Sequence, residues 1–322
     1  MIYWITNIAG NNKVLAFIGM LVAYAATCFL LGTYKNLLPR DGGRDFAHNG
    51  KLSAGKPRGA GFVFIIVFIL INIIFLPFDK EVIVYLILTA AIMLTGFLDD
   101  CAKSPWDEYK KGLLDLAIAV ATAVAFVNFN STRIDINIIG KSIVIPPVVF
   151  IILAVILIWT SINVTNCSDG VDGLCGVLSI ITMLTIYMIG NIKGMSGSFN
   201  YLILIMVECV MGYLWYNASP SKMIMGDAGS RALGFFISIM ILKTGSPLLF
   251  IPAAFVLIVD GGIGLIKVSL LRFFKIRILT NVRTPLHDHV RKNMKWSDTQ
   301  AVFRFAIIQV VISFALFYLL NK

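Results

Sequence analysis

The chain contains the apolar run IILAVILIW at residues 151–159, followed three residues later by NVTNCSDGVDGL at residues 163–174. The second stretch places Asn163, Asn166, Asp169 and Asp172 at steps of three, which brings them near one face of a helix or of a helix entry. Polar groups beside a membrane span are costly unless a ligand or partner satisfies them. This polar ladder therefore predicts an active site in a membrane protein.

The composition supports a membrane location. Hydrophobic residues make up 58% of the 322 residues and charged residues 14%, whereas a soluble domain carries about 25% charged residues. The five cysteines form no CxxC pair and have no histidine at metal spacing, which argues against structural zinc and against a disulfide framework. The first apolar run, residues 14–31, is long enough to span and lacks a clear cleavage site, so we interpret it as an uncleaved helix rather than a signal peptide.

The apolar runs predict an all-α integral membrane protein with ten transmembrane helices in one polytopic domain, residues 1–322. The ninth run is interrupted by Gly261, Gly262 and Gly264 and ends in basic residues, which predicts a broken helix that continues into the membrane interface. The predicted spans are residues 14–33, 61–78, 82–98, 112–129, 146–162, 173–190, 200–216, 230–245, 248–274 and 302–320.

The basic residues predict the orientation of these spans. If the N-terminus is outside and the helices alternate, 20 of the 27 Lys and Arg residues fall in inside segments. This positive-inside asymmetry predicts that both termini face the extracellular or periplasmic side. The formal charge of +10 is thus a topology signal, and without a soluble basic domain it does not indicate nucleic-acid binding. Alternating polar and apolar residues at 131–146 predict a small outside β-hairpin.

Two acidic motifs fall on the inside face. Asp99 and Asp100 end the third span, where adjacent carboxylates favour a cation site or a proton-transfer role, or else form a solvated helix end. The motif MGDAGS, residues 225–230, opens the eighth span. Free N–H groups at a helix start bind phosphate, and Asp227 suits a phosphate that arrives with Mg²⁺. The alternative is an ordinary helix cap.

Two further polar segments fall on the same face. His287 and His289 lie in the last inner loop, and a basic, Gly-rich segment at residues 40–61 contains His48. Each has a simpler interpretation, as a solvated loop or as a positive-inside anchor. Five carboxylates, two histidines and several Lys and Arg side chains on one membrane face together predict phosphoryl transfer between a nucleotide-activated substrate and a lipid phosphate.

These motifs resemble the polyprenyl-phosphate N-acetylhexosamine-1-phosphate transferase superfamily, and within it the branch that acts on UDP-N-acetylmuramoyl-pentapeptide. The resemblance rests on the motifs Asp99-Asp100 with Lys103, the ladder at 163–174, residues 225–230 and Pro285-Leu286-His287-x-His289. It implies ten helices with outside termini in a bacterial plasma membrane, a cytoplasmic active site, a homodimer and Mg²⁺. The implied reaction is transfer of the phospho-sugar-peptide to undecaprenyl phosphate, with release of UMP.

The resemblance also implies roles for individual residues. Asp227 is similar to the metal ligand, Asp99 and Asp100 to the pair that handles the lipid phosphate and its proton, and His287 and His289 to catalytic histidines. Residues expected to bind substrate are Lys103, Lys111, Asn163, Asn166, Asp169, Asp172, Gly226 and His48. The sequence departs from the family pattern at Asp288, where a central histidine is usual, and at Ile224, where an aromatic residue is common.

Two other functions stay open at this point. A relative that transfers N-acetylglucosamine-1-phosphate to the same lipid would show similar motifs, although the Pro285-Leu286-His287 loop favours the muramoyl-pentapeptide branch. An ion-coupled transporter would also use membrane carboxylates, but transporters usually hold them near the bilayer midplane and are built from repeated halves. The carboxylates here lie at helix ends, and the sequence shows no internal repeat.

Overall fold

The computed structural model describes residues 12–43, 53–76, 79–137 and 140–321, and these residues are helical apart from one small hairpin and the connecting segments. The long helices are α1 (Asn12–Tyr34), α2 (Ala60–Phe75), α3 (Lys80–Asp100), α4 (Glu108–Phe129), α5 (Pro147–Cys167), α6 (Leu174–Lys193), α7 (Gly197–Asn217) and α8 (Gly226–Lys243). The remaining helices are the short α9 (Phe250–Ala253) and α10 (Phe255–Leu257), then α11 (Ile263–Phe274), α12 (Leu286–Lys292) and α13 (Asp298–Leu320).

A helix lies at each of the ten segments expected from the sequence, but not all of these helices have the length and apolarity of a span. Seven are long and apolar enough to cross a membrane, or eight if one bent pair counts as a span. With 16 residues, α2 extends only roughly 24 Å, which is shorter than the hydrocarbon core of about 30 Å. The helix α8 is polar at its start and buried by protein almost throughout.

The outside of the bundle suits a lipid environment. Large apolar side chains on five different helices are more than half exposed, namely Phe17, Ile87, Leu113, Ile156 and Phe314. Apolar surface of this extent is unusual in a soluble monomer and is expected where lipid replaces water. The chain is therefore a multi-pass membrane protein.

The centre of the bundle is α8, which packs against α2, α3, α5 and α6. Small residues allow this close packing. A Cβ atom on Gly96 of α3 would lie 2.5 Å from the carbonyl carbon of Asp227, and one on Gly61 of α2 would lie 2.7 Å from the carbonyl carbon of Ala228. Both glycines face the first turn of α8, so the position of that turn depends on backbone contact with two neighbouring helices.

The expectation of a broken ninth helix is confirmed, although the bend does not lie at the glycines. The chain bends by 75° between Pro247–Ala253 and Phe255–Phe274. Gln309 of α13 stabilises the break, because its side chain donates to the carbonyl oxygen of Pro252 at 3.0 Å and accepts from the backbone N–H of Val256 at 2.9 Å. A side chain inserted into the hydrogen-bond ladder is a common cause of a sharp bend.

The glycines of the ninth segment have a different role. Gly261 and Gly262 lie in a π-helical turn, Ile258–Gly262. A Cβ atom on Gly261 would lie 2.9 Å from Cβ of Cys167, so the glycine lets this turn approach the end of α5. The following helix, α11, has no buried residue, which agrees with the expected amphipathic continuation.

The expected hairpin is present, with β1 (Arg133–Ile136) and β2 (Lys141–Val144) paired antiparallel. It follows the C-terminal end of α4, whereas Lys111, which contacts Asp99 of the acidic motif, lies in the first turn of that helix. The 22 residues of α4 separate the two by roughly 33 Å. The hairpin and the acidic motifs therefore lie at opposite ends of the bundle.

Candidate active site

Asp100, the last residue of α3, fixes the start of α8. Its carboxylate accepts hydrogen bonds from the backbone N–H groups of Asp227 and Ala228, both at 3.0 Å. These N–H groups have no partner within the helix, and the helix start favours a negative charge. A Cβ atom on Gly226, which has φ +72°, would lie 2.8 Å from Cγ of Asp100. The motifs at 99–100 and 225–230 therefore form one site.

Arg58 connects this site to the first inner loop. Its guanidinium donates to Asp100 at 2.7 Å, to Asp41 at 3.3 Å and to Asp227 at 3.5 Å. Burial lowers the pKa of Arg58, but the charges of Asp100 and Asp227 outweigh burial and raise the pKa above its ordinary value. Arg58 therefore carries a permanent positive charge among three carboxylates.

Lys111 lies between Asp99 and Asp227. Its ammonium group is 2.5 Å from Asp99 and 3.0 Å from Asp227. Asp99 also accepts a hydrogen bond from the backbone N–H of Trp106 at 2.7 Å. Because Lys111 faces Asp99 and Asp227 together, it is the cation nearest to the pair for which the sequence predicts proton and metal chemistry.

The acid cluster comprises Asp41, Asp99, Asp100 and Asp227, with Arg58 and Lys111 as its cations. Four carboxylates against two cations leave two negative charges in excess, which match one divalent ion. Carboxylate oxygens are the ligands that Mg²⁺ prefers. Among the described residues, no group of three or more His, Cys, Asp or Glu side chains is arranged so that it could hold a metal ion. The net charge and the oxygen chemistry of the cluster suit Mg²⁺, but its carboxylates are paired with Arg58 and Lys111.

The polar ladder contacts α8 through its second residue. The hydroxyl of Ser230, near the start of α8, lies 3.3 Å from the side-chain oxygen of Asn166. Asp172 accepts hydrogen bonds from the backbone N–H and the hydroxyl of Ser221 at 2.8 and 2.7 Å, and Lys56 approaches it at 3.8 Å. The ladder thus lies beside both the start of α8 and the basic segment after α1.

His287 lies on the other side of the ladder and is oriented by a buried carboxylate. Its backbone N–H donates to Asp260 at 2.8 Å, and its ring nitrogen Nδ1 lies 2.8 Å from the second oxygen of Asp260. A Cβ atom on Gly170 would lie 2.9 Å from Cε1 of the ring. Since Nδ1 is held by Asp260, Nε2 is the nitrogen presented to the ladder.

The other members of this loop form their own contacts. His289 accepts a hydrogen bond from the backbone N–H of Arg283 at 3.2 Å, and Asp288 pairs with Arg291 at 2.7 Å. Burial acts to raise the pKa of Asp288, but the hydrogen bond from Arg291 and the nearby positive charges outweigh it and lower the pKa. Arg291 also donates to the carbonyl oxygen of Gly170 at 3.3 Å, which fixes the loop against the ladder.

In the described part of the chain, Asn163 and Lys103 take no part in the contacts of the acid cluster. Asn163 donates to the carbonyl oxygen of Trp159 in its own helix. Lys103 is exposed and forms no ion pair within the part of the chain that the structure describes. Asp169 lies in the turn after α5, where its backbone N–H donates to the carbonyl oxygen of Asn166. The prediction for His48 lies outside the described residues.

The sequence interpretation missed three groups that the structure places here. In the sequence, Arg58 is one cation of a basic loop among several, and no local signal pairs Asp260 with His287. The third group is Asp115 with Arg231, a buried ion pair one helical turn beyond Lys111 and Asp227. Charged residues inside apolar spans are a functional signal, so this pair could have been found.

The conserved-domain model described as "Glycosyl transferase family 4" matches residues 82–245, just over half of the chain. The chain belongs to glycosyl transferase family 4. The resemblance to a transferase family that the motifs indicated is thus confirmed. The matched region contains both acidic motifs, Lys111 and the ladder, whereas Arg58 and His287 lie outside it.

Named relatives of this family 4 chain extend the similarity over almost its whole length. Two proteins named phospho-N-acetylmuramoyl-pentapeptide-transferase, from two strains of Treponema pallidum, are each 39% identical over 97% of this chain and 91% of their own. A protein of the same name from Sulfurimonas denitrificans is 27% identical over 96% of each chain. The similarity therefore includes the segments of Arg58 and His287.

Proposed function

We propose that this family 4 chain transfers phospho-N-acetylmuramoyl-pentapeptide from its UDP conjugate to undecaprenyl phosphate, releasing UMP and forming lipid I. The name and full-length similarity of the Treponema relatives support this substrate pair. The observation that carries the proposal is the acid cluster at one end of the bundle, where Asp99, Asp227 and Lys111 are in direct contact.

The reaction joins one oxygen of the lipid phosphate to the β-phosphorus of the UDP conjugate. The bond from that phosphorus to the bridging oxygen breaks, and the bridging oxygen leaves with UMP. Phosphoryl transfer of this kind depends on alignment of the two phosphates and on positive charge around the transferred group. Arg58 and Lys111 provide two cations at the cluster.

The two adjacent aspartates take different roles in this proposal. Asp100 is used by three donors, Arg58 and two backbone N–H groups of α8, so it positions Asp227. Asp99 accepts from Lys111 and from one backbone N–H. We assign to Asp99 the acceptance of the proton of the lipid phosphate, because a carboxylate can act as a general base and Asp99, unlike Asp100, does not bind the start of α8; the proton then passes to solvent.

Asp227 is the proposed ligand for Mg²⁺, with Asp99 as the adjacent carboxylate. A bound Mg²⁺ would neutralise the pyrophosphate oxygens and stabilise the leaving UMP. Lys111 would supply positive charge beside these two carboxylates. The excess of two negative charges in the cluster supports this assignment.

The nucleotide is proposed to lie along the ladder, on Asn166, Asp169 and Asp172. His287 and His289 would contact the diphosphate from α12, and His287 is held in place for this by Asp260. The other residues proposed to contact substrate are Asn163, Lys103, Gly226 and His48.

The proposed setting is a bacterial plasma membrane crossed ten times, with both termini outside and the acid cluster on the cytoplasmic face. The distribution of basic residues supports this orientation. UDP conjugates are cytoplasmic in this scheme, and undecaprenyl phosphate reaches the cluster from the surrounding lipid. A homodimer is also proposed.

The test is an assay of the full chain purified in detergent, with undecaprenyl phosphate, Mg²⁺ and either UDP-N-acetylmuramoyl-pentapeptide or UDP-N-acetylglucosamine. We expect UMP release with the muramoyl substrate alone. Release with UDP-N-acetylglucosamine alone would contradict the proposed sugar, and ion flux in liposomes without turnover of either would contradict the transferase function.

A further inference from the structure

A buried ion pair lies directly behind the acid cluster. Arg231 of α8 donates through Nε and Nη2 to Asp115 of α4. The side chain of Arg231 is fully buried and that of Asp115 is 4% exposed. Replacing such a pair by apolar residues is often neutral or stabilising, because burying both charges costs several kcal/mol. Nη1 of Arg231 also has no hydrogen-bond partner within the described residues, so stability alone does not account for the pair.

The position of the pair relates it to the proposed chemistry. Asp115 follows Lys111 by four residues on α4, and Arg231 follows Asp227 by four residues on α8. Residues at this spacing are neighbours on one helix face. The four side chains therefore form a square of alternating charge, in which Lys111 contacts Asp227 and Arg231 contacts Asp115.

Each corner of the square has two possible partners of opposite charge. The charge of Lys111 also acts on Asp115, and that of Arg231 acts on Asp227. If Arg231 were removed, Asp115 would be a buried carboxylate without its cation, and Lys111 would be the nearest replacement. A buried unpaired charge is costly enough to redirect a flexible lysine side chain.

We infer that Asp115 and Arg231 are positioning residues, which neutralise each other so that Lys111 stays directed at Asp99 and Asp227. The pair acts on the reaction through Lys111 and does not contact substrate. The inference rests on the proposed transfer reaction only for its kinetic consequence, since the direction of Lys111 is a property of the chain itself.

The test compares Arg231→Met, Asp115→Asn and the double variant. Arg231→Met leaves Asp115 to attract Lys111, so kcat should fall by about tenfold or more while KM for the UDP conjugate changes little. Asp115→Asn leaves Arg231 to attract Asp227 and should also lower kcat. The double variant contains neither competing charge and should regain kcat to within about threefold of wild type. Arg231→Lys should retain more activity than Arg231→Met.

This order of activities separates positioning from packing. If the pair served packing alone, the double variant would be at least as impaired as the worse single variant, and that result would overturn the inference. The exposed pair Arg133–Asp135 in the hairpin supplies a matched control, since Arg133→Met should leave kcat unchanged. Detergent size-exclusion profiles and Tm identify variants that fail to fold.

A second measurement does not depend on turnover. Lys111 is 25% exposed, so an amine-acylating reagent can label it and mass spectrometry can quantify the label. In Arg231→Met the labelling rate should fall several-fold as Lys111 moves toward buried Asp115, and it should recover in the double variant. Unchanged labelling in all variants would refute the inference even if the wild type were inactive on every UDP conjugate.

Discussion

Replacing Gly96 by alanine would place a methyl group where the backbone of α8 now lies. The new Cβ atom would be 2.5 Å from the carbonyl carbon of Asp227 and 2.6 Å from the amide nitrogen of Ala228. Ordinary van der Waals contact begins at 3.4 Å, so α3 and the first turn of α8 must separate by about 1 Å, because neither contact atom is a side chain that can rotate away.

That separation acts on the site directly. The bonds from Asp100 to the N–H groups of Asp227 and Ala228 are both 3.0 Å, and a lengthening of about 1 Å would break them. A misplacement of about 1 Å can cost 10²-fold in rate. We therefore expect kcat for UMP release to fall by about 10²-fold in Gly96→Ala.

The matched control is Gly112→Ala. Gly112 lies on the neighbouring helix α4, and a Cβ atom there would meet nothing within 4 Å. Alanine is favoured over glycine within a helix by about 1 kcal/mol, so this variant should be as active as wild type and at least as stable. Wild-type turnover in Gly96→Ala, or an equal loss in Gly112→Ala, would refute the packing argument.

Four further substitutions follow from the site. Asp227→Ala should abolish Mg²⁺-dependent UMP release, because one carboxylate ligand of a hard cation is lost. Asp100→Asn should lower kcat by on the order of 10²-fold, since an amide presents a donor to the N–H groups of α8. Asp260→Asn should lower kcat by about 10- to 100-fold through loss of the orientation of His287. The lowered pKa of Asp288 stabilises the fold above the unfolded aspartate pKa of about 3.9, and this contribution is lost as pH falls through the lower folded value. Asp288→Asn should therefore reduce Tm more at pH 7 than at pH 3.

These expectations have separate controls. Asp135→Asn, in the hairpin at the far end of the bundle, should leave turnover and its Mg²⁺ dependence unchanged. A normal Mg²⁺ titration in Asp227→Ala would remove that residue from the metal site, and a near-normal rate in Asp100→Asn would remove the anchor of α8. If Asp260→Asn matched wild type at every pH, His287 would not depend on its carboxylate. An equal Tm loss at both pH values would contradict the charge contribution of Asp288.

The apolar runs and the hairpin could be read from the sequence because their signals are local. A run such as residues 151–159 is recognised as a membrane span from its own composition. The alternation in residues 133–144 likewise predicts two short strands from its period alone. The acidic motifs were also recognisable, since carboxylates at helix ends are unusual in such an apolar chain.

What the tertiary structure decided is which of these groups meet. Asp100 and Asp227 are 127 residues apart in the chain, and only the close packing that Gly96 permits brings the carboxylate to the start of α8. Arg58 also meets Asp41 and Asp100 only through the packing of separate segments. Asp260 and His287 are 27 residues apart, and they likewise meet only because α12 packs back against the π-helical turn that contains Asp260. Sequence alone thus determined the chemical character of the two ends of the bundle, because burial and charge are properties of single segments. Pairing between segments depends on helix packing, which no local pattern specifies.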